Sequence, residues 1–518
     1  MGSSWSSDER SERRPQAPTT VAAGVAVAAA AVVANRFFLD GDFRATDTLS
    51  LIRQGTISSA GDLGRIFSEE LLAGTMFEAG PYYRPVSLVS YGLDHGVWGL
   101  NAFGYNLTNT ILHALVALMT FAVLLRLTRS LAGAVVAGMV MALHPLVVET
   151  VPAPARRHDI LAVLFVLVAL HLVAKTAVGT ASHPVRVAIA PASVALVLAV
   201  WSKESAVVGI VPLAVVLWLG ARDRLPARAR LLAWAGQALP LVIGLVVALA
   251  VRAYAIGGND IDPVESASDS LWGVTSESVR LLLHPQSSFV TFPVVGWLAA
   301  AVVTVVVVMA VAGRPGRDTR MVVTVAAMSS WWIAGLIVLM AVTGEFSSRT
   351  LYGALPAFGM LIGAAATALA RSLGRAAVAA PAGVALLVVV ASVGATSPAV
   401  RGYEQWDVAG RLSTSTLDVL DAWDLDDVSG PAALHVPELP RRVGPGTPPL
   451  QPQVRSPTVL VDHALASYLE LRHPGTDVRV VVDHETSFPP RAGMVVETAR
   501  EDRDPARVRL TIAPVPSS

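Results

Sequence analysis

Long runs of Ala, Val and Leu, broken by short polar clusters, dominate the chain from residue 20 onward. With their flanks, most of these runs approach the roughly 20 residues a helix needs to cross a bilayer. Their cores fall at residues 21–33, 107–125, 131–146, 160–174, 187–201, 206–219, 231–251, 290–311, 321–342, 351–370 and 377–393. The pattern predicts an α-helical polytopic membrane protein with about 11 transmembrane helices. The runs at 187–201 and 206–219 are short, as tilted or re-entrant segments would be.

Three portions lack this pattern. Residues 1–19 are rich in Ser, Arg and Pro and are expected to be a disordered cytoplasmic N-terminus. The first long loop, residues 35–106, carries amphipathic patterns such as Ile66-Phe67 with Leu71-Leu72, which suit helices lying on a membrane surface. From residue 397 to 518 the composition changes. Helical patterns at 412–423 and 464–471 and strand-like runs at 478–482 and 508–512 predict a small extracytoplasmic α/β domain, following a transmembrane domain over 20–396. The first apolar run ends in Asn35-Arg36-Phe37-Phe38 rather than in a small-residue cleavage site, so it reads as a retained helix, not a signal peptide.

Charge sets the orientation. Arg10, Arg13 and Arg14, then Arg126 and Arg129, Lys175 and Arg186, Arg222 to Arg230, Arg314 to Arg320, and Arg371 with Arg375 fall on alternate connections. The positive-inside rule then predicts a multi-pass protein of the plasma (inner) membrane, N-terminus cytoplasmic and C-terminus extracytoplasmic. The chain is 53% hydrophobic and 15% charged, and its net charge is zero, which gives no case for a nucleic-acid partner. It contains no Cys, so disulfides and cysteine-ligated metals are excluded.

The acidic and remaining basic residues gather on the connections assigned to the outside. Asp40 and Asp42 follow the first span, and Tyr83-Arg84-Pro85 closes the first loop. Asn109 and His113 lie one turn apart at the outer end of the second span, followed by His144-Pro145, Glu149, Arg157 and Asp159. Ser202-Lys203-Glu204, His284-Pro285 and Glu345 with Arg349 and Tyr352 complete the set. Ionisable groups beside bilayer hydrocarbon are costly and tend to be functional. Converging on one cavity, they would offer carboxylates for proton abstraction and cations for an anionic, phosphate-like group. Each also has a plain structural reading: Asp40 and Asp42 as a solvated helix end, His113 as a core histidine, Lys203 and Glu204 as an internal ion pair, and Arg349 as an interfacial anchor.

In this order the motifs resemble the membrane-embedded glycosyltransferases of the GT-C type. The similarity is greatest to the branch of transmembrane and tetratricopeptide-repeat O-mannosyltransferases and their bacterial relatives, and more distant to protein O-mannosyltransferases. It is carried by Asp40-Gly41-Asp42, Tyr83-Arg84-Pro85-Val86-Ser87, Tyr105 with Asn109 and His113, Leu143-His144-Pro145 with Glu149, Val151, Arg157, Asp159 and Leu161, Ser202-Lys203-Glu204, and Arg349-Thr350-Leu351-Tyr352. Departures are Gly41 between acids that are often adjacent, Asn106 where a histidine is common, Ser348 in place of a glutamate, and the absence of a repeat-rich tail.

The resemblance implies an inverting transfer of a sugar, mannose favoured, from a polyprenyl-phosphate donor to a hydroxyl of a protein, lipid or glycan acceptor at the outer face. Asp42 is then the first choice of base and Asp40 the second. Arg349, Arg84, Lys203 and Arg157 would bind the donor phosphate, and His113, His144, Glu149, Asp159, Glu204 and Tyr352 would orient acceptor or cations. The resemblance fixes no cofactor; a divalent metal, Mg or Mn, is compatible with Asp40, Asp42 and Asp159. The alternatives are a transporter or flippase of a lipid-linked sugar, which would place ionisable residues in mid-helix, and a structural membrane protein with a partner-binding tail.

Overall fold

A computed structural model describes residues 17–73, 82–178, 186–222, 226–257, 271–283, 317–344, 346–372, 396–421, 432–437, 462–473, 478–483, 494–500 and 508–514. The expected spans at 290–311 and 377–393, as well as His284, Pro285 and Glu345, lie outside these residues.

Among the described residues, seven helices are long and apolar enough to cross a membrane. They include α1 (Ala17–Asn35), α5 (Ala102–Thr128), α6 (Leu131–Leu143) with the 3-10 turn that extends it to Glu149, α7 (Arg157–Val178), α10 (Ala227–Ala255), α12 (Arg317–Thr343) and α13 (Leu355–Ser372). The expected short pair is also helical, as α8 (Arg186–Ser202) and α9 (Ile210–Arg222), joined by a 3-10 turn at Glu204–Gly209. A further helix, α11, spans Leu271–Leu283.

Local chemistry sets several of these boundaries. The Asn101 side chain accepts from the Phe103 N–H and starts α5, and Ser130 accepts from the Gly133 N–H and starts α6; each satisfies a backbone donor that a helix start leaves orphaned. Pro145 ends α6 and opens the 3-10 turn Pro145–Glu149. Helices α6 and α13 approach closely because both use glycine at the crossing. A Cβ on Gly133 would meet the Gly363 carbonyl at 2.5 Å, and one on Gly363 would meet the Gly133 carbonyl at 2.5 Å. Small residues at a crossing are how membrane helices gain packing where burial of apolar surface offers little drive.

The buried residues form two clusters. The larger runs through the bundle, from Val27 and Phe121 to Leu167, Met328 and Ile362. The second lies at the polar end and joins distant parts of the chain. It combines Phe43, Leu49 and Ile52 of the first loop, Tyr91 of α4 (Pro85–Trp98), Tyr105 of α5, Trp406 and Leu420 of α14 (Thr396–Asp421), and Leu465 and Tyr468 of α15 (Asp462–Arg472). Ile66, Leu71 and Leu72 belong to this cluster. The amphipathic pattern of the first loop therefore buries against protein rather than lying on a membrane surface. In the C-terminal portion, strands β1 (Ala432–Pro437) and β2 (Val478–Asp483) pair in parallel, and β3 (Met494–Arg500) and β4 (Val508–Pro514) pair antiparallel.

Candidate active site

The connections at one end of the bundle meet through side chains. Asn106 on α5 donates to the Asp40 carbonyl at 3.3 Å and the Asp42 carbonyl at 3.2 Å, which fixes the acidic loop onto the second span. Ser87 on α4 donates to the Ser202 carbonyl at the end of α8. Tyr91 on α4 donates to the Pro154 carbonyl.

Asp40 and Asp42 have different surroundings. Asp40 is ion-paired to the fully buried Arg44 and accepts the Asp42 N–H at 3.3 Å. Burial pushes its carboxyl above the usual value, the charge of Asp42 adds to this, and Arg44 pulls the other way. Asp42 accepts a 2.5 Å hydrogen bond on Oδ1 from Thr414 of α14, while its Oδ2 lies 3.9 Å from Arg44. Its side chain is 14% exposed, so it is enclosed but reachable. Arg44 was not anticipated, although an Asp-to-Arg spacing of one helical turn, Asp40 to Arg44, was present in the sequence.

The backbone carbonyl of Trp406 accepts from Arg44 Nε at 3.1 Å, and the Trp406 ring lies 5.7 Å from the Arg156 guanidinium. Arg156 donates to the Glu149 carbonyl and sits 3.8 Å from its carboxylate. Glu149 is 1% exposed, and neither of its carboxylate oxygens has a hydrogen-bond partner among the described residues. Arg349 lies within electrostatic range of Glu149, Lys203 and Asp47, and its Nε is buried without a partner among the described residues.

Lys203 and Glu204 do not pair with each other. Lys203 bonds Asp159, which also contacts His158 at 3.2 Å. Glu204 receives Arg84 through Nε at 3.2 Å and Nη2 at 3.1 Å, and the Tyr83 N–H at 3.1 Å. These crossed pairs tie α7 to the end of α8, and the end of the first loop to the 3-10 turn before α9.

Four expected site residues are occupied by the scaffold. Arg157 is fully buried, pairs with Asp94 at 2.6 Å, and donates to Asn109 Oδ1 at 2.8 Å and to the carbonyls of Ser90 and Tyr105. Phosphate could reach it only by breaking the Asp94 pair, so its expected contact with the donor gives way to a structural one. His113 Nε2 faces the Ala142 carbonyl at 3.3 Å, so that nitrogen carries the proton and Nδ1 accepts from the Tyr352 hydroxyl at 2.9 Å. His144 likewise donates from Nε2 to the Leu282 carbonyl and accepts the Leu146 N–H on Nδ1, capping the turn that follows. His113, His144 and Tyr352 thus spend their polar atoms on each other or on backbone.

The metal set expected from the sequence changes by one member. Asp159 is engaged by Lys203 and His158, whereas Asp407 of α14 joins Asp40 and Asp42 with carboxylate oxygens all within 4.8 Å of one another. Three hard oxygen donors suit Mg or Mn, which complete their shells with water.

No protein-family model matches the chain. Over 155 residues it is 27% identical to the protein O-mannosyl-transferase Tmtc1 of Drosophila melanogaster, a match that covers 29% of this chain and 18% of that relative. Over 92 residues it is 36% identical to the protein O-mannosyl-transferase TMTC2 of Mus musculus, covering 17% of this chain and 10% of the relative. The chain therefore spans less than a fifth of the length of these relatives. The crystal structure of ArnT from Cupriavidus metallidurans bound to undecaprenyl phosphate matches 97% of this chain and 99% of its own, with a TM-score of 0.50 and 16% identity. The fold is thus similar to that of ArnT over nearly the whole chain, and the resemblance to GT-C membrane glycosyltransferases carried by the motifs is borne out.

Proposed function

We propose that the chain transfers a sugar, mannose in the first instance, from a polyprenyl phosphate to an acceptor hydroxyl at the outer face of the membrane, inverting the anomeric carbon. Support comes from relatives that are O-mannosyltransferases and from a similar fold that binds undecaprenyl phosphate. The observation that carries the mechanism is the asymmetry of the two aspartates. Asp40 is consumed by Arg44, while Asp42 keeps Oδ2 clear of any hydrogen bond closer than the 3.9 Å approach of that arginine.

Asp42 Oδ2 is the base. It takes the proton of the acceptor hydroxyl as that oxygen attacks the anomeric carbon and the bond from carbon to phosphate oxygen breaks. The leaving group is the polyprenyl phosphate, which gains negative charge as it departs. Fixed cations in a water-poor site stabilise such charge best. Arg349 leads among them because its Nε has no hydrogen-bond partner among the described residues and a guanidinium binds phosphate through two parallel bonds. Lys203 and Arg84 add positive potential while remaining paired to Asp159 and Glu204.

A divalent cation, when bound, would be held by Asp40, Asp42 and Asp407 and would supply positive charge there. The same reading places residues 1–19 in the cytoplasm and 397–518 outside as an α/β domain, after eleven crossings.

The test uses purified chain in nanodiscs with polyprenyl-phosphate-[3H]mannose and a membrane extract as the source of hydroxyl acceptor, following transfer of label from the lipid. Asp42→Asn should lower turnover by about 100-fold or more, the scale of a lost general base. Wild-type turnover in both Asp42→Asn and Asp40→Asn would remove the assignment.

A further inference from the structure

Helix α14 reaches the acidic loop along one stripe. Trp406, Gly410 and Thr414 are each four residues apart, so they share a face. All three touch the site. The Trp406 carbonyl holds Arg44, Thr414 Oγ1 holds Asp42 Oδ1, and a Cβ on Gly410 would lie 2.7 Å from Asp42 Cβ and 2.9 Å from Oδ2. Only glycine admits this approach.

The helix is itself fixed in place. Trp406, Ala409, Leu417 and Leu420 are buried in the outer cluster. Its end is tied to α15 by the Tyr468 hydroxyl, which donates to Asp421 at 2.6 Å, and by the Arg472–Asp421 pair at 2.7 Å. Helix α15 is tied in turn to α2 (Thr48–Gly55) through Ser467 and Ser50 at 3.0 Å and through His463 and Asp47 at 3.1 Å. Thr414 is thus presented by a braced element.

We propose that Thr414 is a positioning residue for Asp42, so that the segment after the membrane bundle completes the catalytic site. The proposal rests on Asp42 being the base. Rotation of a carboxylate about its last torsion is soft, and Arg44 already holds Asp40 and stands 3.9 Å from Asp42 Oδ2. With Oδ1 anchored by Thr414, Oδ2 stays directed at the acceptor. Without the anchor, the carboxylate is free to turn onto Arg44, where its lone pairs are consumed by the guanidinium.

The experiment compares wild type, Thr414→Val and Thr414→Ser as full chains in nanodiscs, with polyprenyl-phosphate-[3H]mannose as the donor probe and a membrane extract as the source of hydroxyl acceptor. Valine keeps the shape and removes the donor. Misplacing a reacting group costs rate more than binding, so Thr414→Val should lower kcat by about tenfold or more with donor KM changed by less than about twofold. Thermal unfolding should be unmoved, and Thr414→Ser, which restores the hydroxyl, should recover most of the rate. Gly410→Ala should lower kcat in the same way, because the added methyl displaces Asp42.

Wild-type kcat in Thr414→Val overturns the proposal. So does a loss that serine fails to rescue, or one that appears as a raised KM or lowered unfolding temperature, since each describes a packing role. A wild-type chain that leaves the labelled donor intact instead overturns the proposed activity, and the two failures are thereby distinct.

Discussion

Arg156 and Arg157 are consecutive and chemically identical, yet they belong to different machinery. Arg157 opens α7 and turns into the bundle, where Asp94, Asn109 and two backbone carbonyls surround it. Arg156 ends the preceding 3-10 turn and points to Glu149 and Trp406. The sequence motif marks Arg157 but cannot say what either arginine touches, because that depends on where a short turn meets a helix. Removing one partner of a buried ion pair strands the other charge, so Arg157→Met should cost about 3–5 kcal/mol of stability. A steep loss of unfolding temperature in detergent would show it; an Arg157→Met chain that unfolds like wild type would contradict the structural role. Arg349→Met should behave in the opposite way, keeping its unfolding temperature and losing donor turnover by about tenfold or more, as expected for a cation that meets charge formed in the transition state. Asp42, Asp40, Arg349 and the Ser202-Lys203-Glu204 group were thus legible as candidates, whereas Arg44, Asp407 and Thr414 were not. Asp407 and Thr414 become recognisable only when a helix more than 350 residues downstream packs beside the acidic loop.

At the scale of elements, the membrane runs and the two C-terminal helical patterns could be read from periodicity and length. Their docking partners could not, because nothing in the local pattern of residues 462–472 names α2 as the surface they cover. The contact has a sign that can be worked out. Burial acts to raise the Asp47 carboxyl, but the hydrogen bond and charge of His463, with Thr46 and Arg349, bring it below its usual value. Burial also opposes Asp421, and the bonds from Arg472 and Tyr468 again prevail and lower it. A carboxylate whose value falls on folding contributes stability above its unfolded value of about 3.9 and loses it as pH falls through the lower, folded value. On the acid side, docking of α15 should therefore loosen below about pH 4, as both carboxylates gain protons. The Asp47 side chain is 37% exposed, so solvent screening limits its pair with His463 to under about 1 kcal/mol. Hydrogen exchange of residues 462–472, corrected for intrinsic rates, should accelerate below that pH and modestly at pH 7 in Asp47→Asn. Exchange that stays level as pH falls from 5 to 3 would reject the account.

For the whole molecule, the proposed activity requires the acidic loop and α14 to face the side on which lipid-linked sugars are used, and we propose from the arginine bias of the connections that this side is the outside. Geometry makes this testable without assuming the answer. Helix α7 starts beside Lys203 through Asp159 and runs 22 residues, about 33 Å at 1.5 Å per residue, which is the depth of a hydrocarbon core. Lys175, in its last turn, is exposed at the far end of the bundle. Gly64, in the short helix Ala60–Ser68, belongs to the site end, where the neighbouring Arg65 donates to the Gln54 carbonyl of α2; a Cβ there would meet nothing within 4 Å. The chain has no cysteine of its own, so Gly64→Cys and Lys175→Cys each introduce a single thiol. In intact cells a membrane-impermeant maleimide should label Gly64→Cys, and Lys175→Cys only after the membrane is opened. The reverse pattern would put the aspartates in the cytoplasm and rule out transfer at the outer face. Labelling of both in sealed cells would mean that α7 does not cross the bilayer, and the membrane-embedded reading of the bundle would fall with it.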